Sequence, residues 1–241
     1  MKKHSPEALY RMLCSRLRQR IEAAERNLAS NEALWQKVEN VSLHGRKAIE
    51  TIAHMCLAAI EHGVGELGIP QDAKHHYNAE TIFKRLKKKQ IDALPSPSRM
   101  SKSNDPRFKA VFSGTEEHRL CYDELIELYQ LFHNAMHEPN PYKMPDAAAQ
   151  YLSLLPRLSA AIGKIRNFSW VHFTAIKGRA FMVDLKNEYG RTVVSLAEKA
   201  GEMPEDLANY RAPTPKPLAD SMSGVRIPDF PRPSTAPRTT P

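Results

Sequence analysis

Residues 165–196 read IRNFSWVHFTAIKGRAFMVDLKNEYGRTVVSL, and within them the hydrophobic period changes. Upstream, Tyr151, Leu155, Leu158, Ile162 and Ile165 recur at three and four residues, as an amphipathic helix requires. From Val171 the pattern shifts to short alternating or β-branched runs at 171–176, 180–185 and 191–196. Lys177-Gly178-Arg179 and Asn187-Glu188-Tyr189-Gly190 are turn sequences between them. A small antiparallel meander is therefore expected over 171–200. Three strands need a partner layer to cover one face, so the fold class is α+β: a mainly helical domain with a C-terminal β-meander packed on it.

Working upstream, the helical domain spans 1–170 and holds about five helices. Ser5-Pro6-Glu7 offers a capping hydroxyl, a proline at the first helical position and an early carboxylate. Leu9, Leu13, Leu17, Ile21, Ala24 and Leu28 then form one stripe, leaving Arg11, Arg16, Arg18, Arg20 and Arg26 on faces that read as solvated. A second helix runs from about 31 to 62, and Gly45 inside it marks a bend or the close approach of a neighbour. A third is capped by Asn78, buries Ile82, Phe83 and Leu86, and carries the basic run Lys84, Arg85, Lys87, Lys88 and Lys89. Residues 90–120, with Pro95, Pro97 and Pro106, read as one long loop. The fourth helix starts at Asp123 and is stopped by Pro139 and Pro141. The fifth spans 146–168, kinked or restarted at Pro156.

Downstream, the last 41 residues contain nine of the 18 prolines and no periodic apolar face. Such a segment buries too little to offset its ordering entropy, so 201–241 is expected to be a disordered tail. Its five basic and five acidic residues cancel, which leaves the net charge of +8 on the folded part. That charge favours an anionic partner. No apolar run reaches the roughly 20 residues of a membrane span, and MKKHSPEALYRM lacks the apolar block of a secretory signal. Cys14, Cys56 and Cys121 are far apart with no CxxC pair, which fits a reducing cytoplasm better than a disulfide framework.

Two stretches carry candidate chemistry. His133 and His137 share a helix face, the spacing of HExxH metal sites, but Asn134 stands where the general-base carboxylate would be. No third ligand follows from spacing, so no metal is expected. His137 precedes Pro139-Asn140-Pro141-Tyr142, a rigid turn that suits either a helix cap or a preorganised wall of His137, Asn140 and Tyr142. On the second helix, Arg46 and Glu50 lie one turn apart among Ala48, Ile49, Ile52 and Ala53. That pair is either an exposed salt bridge or a buried one serving a site, and Arg46, Glu50 and His137 are expected to converge between the second and fourth helices. The basic run 84–89 reads as a solvated helix end or as phosphate contacts. No GxGxxG, Walker loop, GxSxG elbow or Cys/His couple occurs, so no cofactor is expected.

The order of an Arg-Lys-x-x-Glu helix, a basic helix and a helix ending in His-x-x-Asn-Pro-Tyr resembles a group of uncharacterised bacterial proteins. The likeness would span roughly 30–196 and match Arg46, Glu50, His137, Asn140, Pro141, Tyr142 and His172. More distantly, the helical part is similar to HEPN domains, whose active members cut RNA with an Arg-x(4–6)-His motif. Arg166-Asn167-Phe168-Ser169-Trp170-Val171-His172 fits that motif. The resemblance implies a homodimer in which arginine and histidine meet their mates and act on the 2′-hydroxyl and the scissile phosphate. The expectation is thus a HEPN-like bacterial protein acting on RNA, a metal-independent endoribonuclease of a toxin or defence system. His137 or His172 would serve with Arg166 or Arg46. The alternative is a non-catalytic module that docks nucleic acid or a protein partner through its basic helix, and a third is an anionic-ligand pocket around Arg46.

Overall fold

A computed structural model describes residues 4–65, 78–102, 110–137 and 146–198. All of them belong to the first of two units, 1–199 and 200–241, into which the chain divides. The expected tail lies outside the described residues.

Helix α1 (Pro6–Ala29) starts as its sequence requires, with Ser5 Oγ accepting from the Ala8 amide at 3.2 Å. Its stripe of Leu13, Leu17, Ile21 and Ala24 is buried, together with Tyr10 and Cys14. The stripe faces α2 (Leu34–Val64), a 31-residue helix that starts three residues later than its periodicity suggested. α2 is buried on several faces because α1, α4 and α5 all pack against it. α3 (Ala79–Lys88) is capped by Asn78, whose Oδ1 accepts from the Glu80 amide at 2.9 Å. α4 is Tyr122–Ala135, and α5 (Ala147–Ser169) passes through Pro156 without restarting. No helix among the described residues is long and apolar enough to cross a membrane.

The sheet has five antiparallel strands in the order β2-β1-β3-β4-β5. β3 (Val171–Ile176), β4 (Arg179–Asp184) and β5 (Val193–Glu198) are the expected meander. Lys177 and Gly178 both take positive φ, 50° and 81°, as a tight two-residue hairpin turn needs. β1 (Ser96–Lys102) and β2 (Ala110–Gly114) correct the expectation of a single loop over 90–120. The reason is physical: SPSRMSK contains one large apolar residue, Met100, and it is exposed, so no alternation marks the strand. Its order comes from partners, with Ser96 and Pro97 paired to Phe173 and His172 of β3 and 98–102 paired to β2. The fold is α+β, with one face of the sheet on the helices. Phe181 of β4 stacks on Tyr10 of α1 at 3.9 Å between centroids, and Ile176 lies against Gly63 of α2.

Candidate functional site

Gly45 sets the distance between α2 and α4. A Cβ there would fall 2.3 Å from the ring of Phe132, which is fully buried, so the missing side chain is where the phenyl ring sits. This contact fixes the register of the residues that follow each partner. Arg46 Nη1 lies 3.2 Å from His133 Nδ1, and Arg46 Nε donates to Glu50 Oε1 at 3.0 Å. Lys47 Nζ donates to the other carboxylate oxygen at 2.7 Å. The guanidinium carbon stands 5.4 Å from the centroid of the Tyr129 ring, a distance at which the ring quadrupole attracts the cation.

Tyr129 and His133 of α4 and His137 just past its end follow one another along one side. The first two rings are parallel within 3°, and the two imidazoles meet edge to face at 4.9 Å. A guanidinium has only donors, so Nδ1 of His133 accepts and the ring carries its proton on Nε2. Arg46 is thus held from two sides, with Nη2 outside both bonds. Glu50 is nearly buried, His133 half-buried and His137 exposed. The arrangement brings a cation held by the interior of α2 beside two imidazoles at the C-terminal end of α4. It can grip an oxyanion and move protons beside it.

Arg46, Glu50 and His137 are the residues expected to converge; Arg46 bonds Glu50 and His133, and His137, one turn beyond, meets the His133 ring. Asn140, Pro141 and Tyr142 lie outside the described residues. His133 was legible only as half of an i,i+4 pair. The signal that points to it is the adjacency of Gly45-Arg46 and Phe132-His133: a glycine facing a phenylalanine brings their neighbours together. Among the described residues no three His, Cys, Asp or Glu side chains gather around a point that could hold a metal.

Arg166 and His172 do not form a pair with each other. Arg166 stands on the exposed side of α5 over the Trp170 ring at 4.8 Å, 3.5 Å from Glu25. His172 is fully buried on β3. Its Nδ1 donates to the Ser169 carbonyl at 2.7 Å, and its Nε2 lies 3.3 Å from the Tyr10 hydroxyl, which is 3.0 Å from Thr174 Oγ1. Burial pushes the pKa of His172 down to about 4. The strand geometry is the cause: alternation turns His172 into the core while the arginine stays on the helix surface. His172 therefore ties the sheet to α1.

At the basic end of α3, Lys84 reaches back to Glu80 and Lys87 pairs with Asp123 of α4. The hydrogen bond from Lys84 holds the Glu80 carboxyl below its usual range, helped by Gln130 and by the charge of Lys84. Lys88 and Lys89 are exposed, and Arg85 is half-buried. So the run is partly neutralised and continues toward the Arg46 site through Glu80. No family model, curated protein or solved structure matches the chain.

Proposed function

We propose that the chain acts on RNA as a metal-independent endoribonuclease, with Arg46, His133 and His137 as its working groups. The observation that carries this reading is the Arg46–His133 hydrogen bond with the His137 ring against it. Cleavage by transfer to the 2′-hydroxyl needs a base, an acid and a cation on the phosphate. His137 takes the proton of the 2′-hydroxyl, and the 2′-oxygen attacks phosphorus. Arg46 holds the non-bridging oxygens through Nη1 and Nη2. When phosphate takes the place of His133 on the guanidinium, Nδ1 is free to bind a proton and His133 gains the form that can donate one. It gives that proton to the 5′-oxygen as the bond from phosphorus to that oxygen breaks. The products are a 2′,3′-cyclic phosphate and a 5′-hydroxyl. Glu50 and Lys47 position Arg46. Free buried thiols at Cys14 and Cys56 suit a reducing cytoplasm for this work.

Single-turnover cleavage of a labelled RNA in EDTA tests the reading. His133→Gln and His137→Gln should each lower the rate by about 100-fold or more, the usual size of an acid or base contribution. RNA binding with no turnover in the wild type would favour the non-catalytic module instead.

A further inference from the structure

A second polar feature lies on the other side of Glu50. α1 and α2 leave a groove of about 570 Å³ between them, walled by Arg16 and Arg20 from α1 and by His44 and Lys47 from α2. Glu50 is the one carboxylate among its lining residues, and Arg46 and Lys47 already hold it. The carboxylates of α1 are also engaged elsewhere: Glu7 with His62, Glu22 with Arg18 and Lys186, Glu25 with Arg166. Arg20 Nη1 spends one hydrogen bond on His44 Nδ1 at 3.3 Å. Burial, with the charges of Arg20 and Arg26 beside it, lowers the pKa of His44.

We infer that this groove holds the phosphate backbone of single-stranded RNA and delivers it to Arg46, an inference that rests on the reading of Arg46 and His133 as a site acting on RNA. Cations gathered in a concavity whose lining holds a single carboxylate raise the local concentration of a polyanion. Glu50 joins the two features, since one carboxylate oxygen faces Arg46 and the other Lys47, so a strand in the groove lies beside the reacting groups. No Phe, Tyr or Trp lines the groove, so it lacks the broad stacking platform on which bases are held. Recognition there is of charge and is independent of sequence.

The test uses the full chain carrying His133→Gln and His137→Gln, so that bound RNA is not cut, and a labelled single-stranded oligoribonucleotide as probe. Arg16→Gln, at an exposed position, with Arg20→Gln, at a half-buried one, should weaken binding at least tenfold at low salt. The slope of log affinity against log salt should flatten by about 1.4, two phosphate contacts at about 0.7 each. Unchanged affinity and slope, with the helix content intact by circular dichroism, would overturn the groove and leave the cleavage reading standing. Binding through the groove with no cleavage by the wild type would overturn the cleavage reading alone. Failure of the parent to bind RNA at all would overturn both.

Discussion

Arg46 and Glu50 are an i,i+4 pair whose worth depends on burial. Glu50 keeps 11% of its side chain exposed and Arg46 29%, which places them between a surface pair of about 0–1 kcal/mol and a buried one whose disruption costs about 3–5 kcal/mol. Lys47 remains on the carboxylate when Arg46 is removed, so Arg46→Ala should cost about 1–2 kcal/mol. Adding Glu50→Ala should recover part of that loss, with a coupling above about 0.5 kcal/mol. Urea unfolding of the four proteins measures it, and additive losses would reduce the pair to a solvated one. His172 makes a separate statement about pH. Its folded-state pKa, near 4, is below the ordinary 6.5, so the unfolded chain binds the extra proton first. Its contribution is fully present above pH 6.5 and is lost as the pH falls through about 4, about 3 kcal/mol in all. His172→Gln should flatten this part of the stability profile. A wild type and variant with parallel profiles between pH 6.5 and 4 would contradict the buried neutral ring.

At the scale of elements, the contact between α2 and α4 decides where Arg46 and His133 stand. Gly45→Ala gains about 1 kcal/mol of helix propensity, but its Cβ would lie 2.3 Å from a phenyl ring that cannot swing into solvent. Overpacking at the upper end of about 1–3 kcal/mol should win, for a net loss of up to about 2 kcal/mol with weaker RNA cleavage. A variant as stable as the parent would show that the helices slide apart freely. Gly45 was legible in the sequence as an odd residue in an apolar band, though a bend and a close approach were equally allowed. The helices were legible because their stripes obey one period and their caps use Ser5, Asn78 and Asp146 in the ordinary way. β1 was not, since Ser96, Pro97 and Ser98 have no strand preference of their own and are ordered by pairing with β3 and β2.

For the whole molecule, the change of period near residue 170 was enough to indicate an α+β fold, while the assembly of the site depended on tertiary contacts that no local pattern encodes. The Arg-x(5)-His spacing illustrates the difference. It spans the junction of α5 and β3, where one step in sequence turns a side chain from solvent to core, so Arg166 and His172 part company. The same junction anchors the sheet on α1 through His172, Tyr10 and Thr174, and the chemistry we propose lies instead between the interior of α2 and the C-terminal end of α4. The most direct measurement of that claim is the end group of RNA incubated with the purified chain in EDTA. The account predicts 2′,3′-cyclic phosphate ends that form with the wild type and disappear with His133→Gln. Intact RNA with the wild type, or cleavage that persists undiminished in that variant, would contradict it.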